Sequence, residues 1–487
     1  MSVVHLVCRG CGQTLPVVGE FFASCPDRIQ LPGTHHILEK CLDRQFNHED
    51  FLQIPNQPTN PYLFFAEFFY SYHLGVFLGA DYAGICSKIQ HNLLSFDSPG
   101  FQITPLREAE KLSKELSLPD GSRLLIKDET SNVGGSHKAR FLMGTLIYLE
   151  VLRSTGQLER PDLAIYSCGN AALGASYVAR AGGYNLDVFV PPALDPLVQR
   201  DLEGNHARVH FCERREGEVG DPCYLRYQES LRGGCIPFSC SGPDNWSNIE
   251  GGQTLFLELV FQLLKQELEL DSIFIQCGGG ALGSAGIQTF QELYHAGTLS
   301  RIPKIYTVQT EGAFPLVRAY LMLLKQLGKE APMPCSIPDP GQLGYFGKIL
   351  TYLRNRTHEY KALAEWVRAK YSSKSIAKLL AESKDSLMWT WEDSPKSSAH
   401  GILDDYTYDW MKLVEGMIQS GGYPIVVSEE ELERANGMAG KYTGISVDHT
   451  GTAGLAGLLS FLKIDEFQEH EKIGLLFTGV KRESGME

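Results

Sequence analysis

The chain has 487 residues, with 44 lysines and arginines against 58 aspartates and glutamates, a net charge of −14 near neutral pH, and no long basic run. That balance excludes a nucleic acid or other polyanion held by general electrostatics. The length gives room for two or more domains, and twelve scattered cysteines in a chain too long to need disulfide staples predict a reducing, cytoplasmic setting.

Residues 1–95 read as an N-terminal extension rich in aromatic side chains. Met1 to Gln13 lacks the charged region, apolar core and small-residue cleavage site of a secretory signal, so export is not expected. Cys8, Arg9, Gly10, Cys11 and Gly12 form a knuckle that Cys25 and His35 or His36 would complete as a zinc set. With one Cys-x-x-Cys pair and no second, the favoured reading is a packing knuckle with no metal. Tyr62 to Ala80 is long and aromatic enough to span a bilayer. Glu67 and His73 interrupt it, and a charge near a helix centre is costly in lipid. A buried or interface helix is expected there, with no membrane contact.

Beyond residue 95, short β-branched and aromatic runs alternate with longer helical patterns, as in βα units on a largely parallel sheet. Strands are predicted at Leu124 to Glu129, Leu163 to Cys168, Leu186 to Pro191, Ala207 to Cys212, Ser272 to Gln276, Ile305 to Thr310, Tyr423 to Ser428 and Ile473 to Phe477. Residues 96–487 are expected to form one core, with a smaller α/β subdomain at about 140–240. The charged, strand-poor stretch of about 330–410 reads as a helical insertion that covers or regulates the site.

Four motifs carry chemistry. Gly134, Gly135, Ser136, His137 and Lys138 lie between a predicted strand and the apolar helix from Phe141, a junction where backbone N–H groups gather a phosphate. In isolation Lys138 is equally a solvated surface lysine. Ser167, Cys168, Gly169, Asn170 and Ala171 follow the next strand and could hold a carboxylate at a helix N-terminus; alone, Asn170 reads as a cap. Gln276 and Cys277 lead into Gly278, Gly279, Gly280, Ala281, Leu282 and Gly283. This is a phosphate loop, or a dinucleotide fingerprint with Glu311 as ribose ligand, or a turn needed only for close packing. Thr478 and Gly479 end the last strand, and a lone Thr there is ordinarily structural.

In order and approximate spacing, these motifs over roughly residues 100–487 resemble the fold-type-II pyridoxal-phosphate enzymes, the tryptophan synthase β-chain superfamily. Threonine synthase, cysteine synthase and the serine/threonine dehydratases belong to it. The resemblance implies a two-domain α/β fold, tryptophan synthase β-like, with parallel-rich twisted sheets, to which this chain adds the extension and the insertion. It implies pyridoxal 5′-phosphate as cofactor and Lys138 as the Schiff-base lysine and general base. His137, Asn170, Gly278, Gly279, Gly280, Ala281, Leu282, Gly283 and Thr478 would hold the cofactor. Ser136, Ser167, Cys168, Gly169 and Ala171 would hold the substrate. A homodimer is implied by the same likeness.

Phe477, Thr478 and Gly479, with the N-terminal knuckle, look most like threonine synthase, whereas the triple glycine is closer to the dehydratases and His137 to tryptophan synthase β chains. Cys168 departs from the usual Ser or Thr. The stretch that tryptophan synthase uses after its lysine has no counterpart here. The expected activity is therefore a lyase or synthase acting on an amino acid by β- or γ-elimination or replacement, threonine synthase-like. A dehydratase-like ammonia-lyase or a racemase is the alternative. From other classes, a non-catalytic cofactor-binding relative and an NAD-dependent dehydrogenase remain. A phosphorylated substrate would need further cations, for which Lys127, Arg140 and Lys441 are available.

Overall fold

The computed structural model describes residues 4–31, 34–43, 46–53, 60–96, 98–218, 221–340, 344–392 and 395–482. Its strands, in chain order, are β1 (Val4–Cys8), β2 (Thr14–Leu15), β3 (Leu38–Leu42), β4 (Leu106–Glu108), β5 (Arg123–Asp128), β6 (Leu163–Tyr166) and β7 (Leu186–Val190). There follow β8 (Arg208–Phe211), β9 (Ile236–Pro237), β10 (Ser272–Gln276), β11 (Lys304–Thr310), β12 (Pro424–Val427) and β13 (Lys472–Phe477).

The described strands form three sheets. The largest has the order β12-β11-β10-β13-β5-β4 and is parallel except for β4 at its edge. β8-β7-β6-β9 is wholly parallel, and β2-β1-β3 is antiparallel. All eight predicted strands are present within two residues of their expected ends. The five residues of β10 are buried on both faces, the condition that writes a continuous apolar run in a central parallel strand.

Two long helices, Lys138–Ser154 and Ser247–Leu264, are buried nearly all round and cross at Gly144 and Gly251. A Cβ on Gly144 would stand 2.5 Å from Gly251 N, and one on Gly251 would stand 2.2 Å from Arg140 O. Only glycine lets these backbones approach so closely.

Arg140 on the first helix meets Glu129 and Glu258 at 2.7 and 2.6 Å, and Lys127 meets Glu258 at 2.7 Å, with every side chain fully buried. Thr104, Thr254 and Gln262 fill remaining hydrogen-bond positions. Two cations thus balance two anions inside the core.

Tyr62 to Ala80 is not one span. Asn60 caps a short turn, Pro61–Phe64, followed by a 3-10 turn, Ala66–Phe68, and a nine-residue helix, Tyr70–Leu78. Phe64 and Phe65 lie edge-on to Phe261, with ring centroids 4.9 and 6.1 Å apart, and Phe51 and Phe68 join them. This burial accounts for the aromatic density. No described helix is long and apolar enough to cross a membrane. Between β11 and β12 the chain inserts the helices Tyr345–Asn355, Thr357–Lys370, Ser373–Glu382 and Lys384–Leu387, then a 3-10 turn, His400–Ile402.

Candidate active site

In the large sheet β5, β13 and β10 are neighbours, so the loops leaving their carboxyl ends converge, and the loop after β6 faces them from the second sheet. Open parallel sheets bind ligands at such ends. A cavity of about 720 Å³ lies there, walled by His137, Lys138, residues 165–171, Gln276, residues 278–282 and Thr478. The insertion contributes a further wall, between Trp391 and Tyr408, and Asp221, residues 239–241 and Thr450 complete the lining.

The turn carrying Lys138 is closed at both ends. Glu129, just past β5, is bonded to Arg140, and its N–H donates to Phe477 O at 2.8 Å. Ser136 bridges to Gly479, and the His137 N–H donates to Thr478 O at 3.0 Å. Lys138 therefore opens its helix against the end of β13. Ser136 is fully buried behind it, accepting from Lys138 N at 3.4 Å, and does not line the cavity as a substrate ligand would.

His137 Nδ1 is 3.2 Å from Thr478 O, so Nδ1 is the donor, since a carbonyl only accepts. Nε2 is then a buried atom with no protein partner. Burial, reinforced by Lys138, pushes the imidazole pKa down to about 3 and keeps it neutral.

Gly280 caps the helix Ala281–His295 with φ +97°, and a Cβ there would stand 2.8 Å from Leu413 Cδ1. The free amides of this helix start face the cavity, as an anion requires. An anion from the chain already stands among them. Asp404 approaches the loop so closely that a Cβ on Gly278 would lie 2.2 Å from its Oδ2, and the Gly279 N–H is directed at its carboxylate. Burial raises the Asp404 pKa to about 6 against the opposing pull of Lys138 and that amide. Gly283 has turned away toward Leu413 and does not line the cavity.

Thr478 is buried, and its Oγ1 accepts from Gln276 Nε2 at 2.7 Å. The Gln276 amide also reaches Leu476 O at 3.1 Å and Gly451 O at 3.2 Å. With its oxygen occupied, the Thr478 hydroxyl has its proton left to give.

Across the cleft, Ser167, Cys168, Gly169, Asn170 and Ala171 line the wall at the start of the helix Asn170–Gly182. Asn170 is the first helical residue, and its side chain caps nothing. Its Oδ1 accepts from Arg482, which also donates to Gly134 O at 2.8 Å, and its amide faces Asp448. Gln276 was quoted in the third motif without a role, Asp404 is the cavity residue that the motifs missed, and Arg482 supports Asn170 from outside the cavity wall. Gln276 alone had a local signal, a polar residue ending an otherwise apolar strand.

The residues present fit pyridoxal phosphate. A carboxylate stands in for phosphate at the glycine loop, the His137 Nε2 lacks a partner on the wall, and Thr478 offers a hydroxyl. The dinucleotide reading loses its second element, because Glu311 is ion-paired with Arg354 and does not line the cavity. Lys127 and Arg140 are committed to the buried network, and Lys441 is exposed beside Tyr442. None of the three reaches the cavity wall.

Residues 98–338 match the family model described as pyridoxal-phosphate dependent enzyme. Threonine synthase of Methanocaldococcus jannaschii is 23% identical over 385 residues, 77% of this chain and 74% of that protein. The serine dehydratase-like protein of Rattus norvegicus is 29% identical over 188 residues, 38% of this chain and only 50% of that protein. Among solved structures, a T.th. threonine deaminase superposes with a TM-score of 0.53 at 20% identity, covering 81% of this chain and 98% of that one. Maize serine racemase gives 0.53 at 15% identity, covering 82% and 94%. These two likenesses concern the fold. Taken with the cavity and its four motifs, the matches identify residues 98–338 as a pyridoxal-phosphate dependent enzyme region of fold type II, similar to the tryptophan synthase β-like enzymes, with pyridoxal 5′-phosphate as its cofactor.

Proposed function

We propose that this chain is a lyase that eliminates a neutral or cationic substituent from an amino acid, closer in chemistry to the serine/threonine dehydratases than to an enzyme taking a phosphorylated substrate. The charge of the cavity wall carries this reading. Among its described residues, Asp221, Glu392, Asp404 and Asp405 face Lys138 and the imidazoles of His137 and His400. His137 is held neutral, and the glycine loop is needed by the cofactor's own phosphate. A second phosphoryl group would meet carboxylates with no free guanidinium to offset them.

Bound here, pyridoxal phosphate supplies the electron sink that makes the substrate Cα proton removable. Lys138 Nζ takes that proton and can return one to the leaving group. The amides at the start of the Asn170–Gly182 helix, with Ser167, receive the substrate carboxylate. Thr478, oriented by Gln276, would donate a hydrogen bond to the ring nitrogen and leave it unprotonated, which would favour prompt loss of the substituent over transamination. The wall from the insertion excludes water. A homodimer belongs to the same proposal, with the exposed Val76 and Phe77 of the aromatic segment as its contact.

The test is kcat/KM for L-serine, L-threonine and 2,3-diaminopropionate against O-phosphoserine and O-phosphohomoserine, following release of 2-oxo acid, ammonia or phosphate. Faster turnover of a phosphorylated compound would overturn the proposal. In parallel, Lys138→Ala should lose the borohydride-sensitive absorbance of the bound cofactor.

A further inference from the structure

We propose that Cys8, Cys11, Cys25 and His36 bind a zinc ion that fastens the N-terminal segment to the catalytic body. One ligand atom from each residue lies within 4.8 Å of all the others. Cys11 Sγ and Cys25 Sγ are 3.7 Å apart, and Cys8 Sγ is 3.4 Å from His36 Nδ1. A tetrahedron with zinc–sulfur bonds of about 2.3 Å has sulfur–sulfur edges of about 3.8 Å. The sulfurs are thus at ligand spacing, far from the roughly 2.05 Å of a disulfide.

The backbone builds the set. Cys8 ends β1 opposite Leu38 of β3, which brings His36, two residues earlier, alongside it. The turn at Gly12, with φ +78° and its N–H donating to Cys8 O at 2.8 Å, swings Cys11 back beside Cys8. A Cβ on Gly10 would stand 2.2 Å from His35 O, so glycine is required for the knuckle to reach the histidine strand. The other ring nitrogen, His36 Nε2, donates to Leu31 O at 3.0 Å. That fixes the tautomer with the Nδ1 lone pair aimed at the three sulfurs, the second bond that metal-ligating histidines make. Three thiols and an imidazole in closed tetrahedral array suit a structural zinc with no open position. Each thiol releases its proton to solvent as the ion binds. The metal-free knuckle favoured by the sequence rested on the lack of a second Cys-x-x-Cys; Cys25 and His36 take that role from separate segments.

The site's consequence lies between its ligands. Phe22 O accepts from Trp246 Nε1 at 2.7 Å, Ala23 O accepts from Trp246 N at 3.1 Å, and Glu20 O accepts from Tyr148 at 3.0 Å. The loop from Cys11 to Cys25 therefore braces Tyr148 and Trp246, the latter five residues beyond Ser241 of the cavity wall.

The experiment is metal analysis of the purified holoenzyme by mass spectrometry, with zinc then exchanged for cobalt under reducing conditions. One zinc per chain is expected, with the thiolate-to-metal absorption of tetrahedral cobalt. Cys11→Ser and His36→Ala should lose the zinc, while Cys335→Ser keeps it. Should those variants fail to fold, mercurial titration of the wild type should release the zinc as its thiols react. A holoenzyme that lacks zinc and takes up no cobalt would overturn the proposal, as would a Cys11–Cys25 disulfide in a non-reducing peptide map.

Discussion

Replacing Asp404 by Asn removes the carboxylate that stands at the glycine loop. Its pKa of about 6, against 3.8 for a free Asp side chain, means that the folded chain binds this proton more tightly than the unfolded one. The stability this contributes is fully present below the unfolded pKa and is lost as pH rises through about 6. At pH 7 the wild type carries a penalty of about 3 kcal/mol, at 1.36 kcal/mol per unit, and Asn carries none. A chain of 487 residues melts with an entropy of about 1 kcal/mol/K, so the cofactor-free Asp404→Asn protein should melt about 3 °C higher at pH 7. The gain should shrink by about 1 kcal/mol at pH 5. Because the Gly279 amide can serve only one anion, affinity for pyridoxal phosphate at pH 7 should rise at least about tenfold. Differential scanning calorimetry from pH 5 to 8, with absorbance titration of the cofactor, reads both. A melting difference that is flat with pH, or a destabilised variant at pH 7, would refute the reasoning.

Four further substitutions probe the architecture. Gln276→Leu removes the 2.7 Å bond that orients Thr478; kcat should fall about tenfold, or about 1.4 kcal/mol, with the cofactor still bound and its absorbance shifted. Arg140→Met leaves Glu129 and Glu258 short of a buried partner and should lower stability by about 3–5 kcal/mol in thermal unfolding. The exposed pairs of Arg208 with Asp162 and Asp187 set the contrast, since Arg208→Met should cost under about 1 kcal/mol. Gly280→Ala forces φ +97° on a residue with a Cβ and presses it toward Leu413; a cost of about 1–3 kcal/mol should appear with weakened cofactor binding in the same titration.

What the sequence made legible follows from what local pattern can encode. β10 and β13 announce themselves because both faces are buried, and the turns after them because glycines or a hydroxyl punctuate their ends. β4 and β9 escaped notice: two or three residues with partly exposed side chains carry no periodicity. The sheet of β1 to β3 lay hidden among the aromatics of the first 95 residues. Lys138, Asn170 and Thr478 could be singled out because each sits at a strand end, but what holds them could not. Arg140 looked like a candidate substrate ligand until Glu129 and Glu258 closed on it from distant segments. Asp404 reaches the site from the insertion, and Arg482 meets Asn170 from beyond β13. Such pairings exist only in three dimensions.

The place of β13 has a consequence for biosynthesis. It is the last described strand in chain order, yet it lies between β10 and β5 in the middle of the large sheet. While the ribosome is still making residues 472–477, both neighbours present unpaired backbone edges to solvent or to a chaperone, and each is a template for wrong pairing. The newborn chain can finish its smaller sheet early, but Thr478, just past β13 and bonded to His137, arrives after both neighbouring strands. Competence to hold the cofactor is thus a signal that synthesis has passed this strand, and a chain cut short before it would be left with an open seam through its largest sheet.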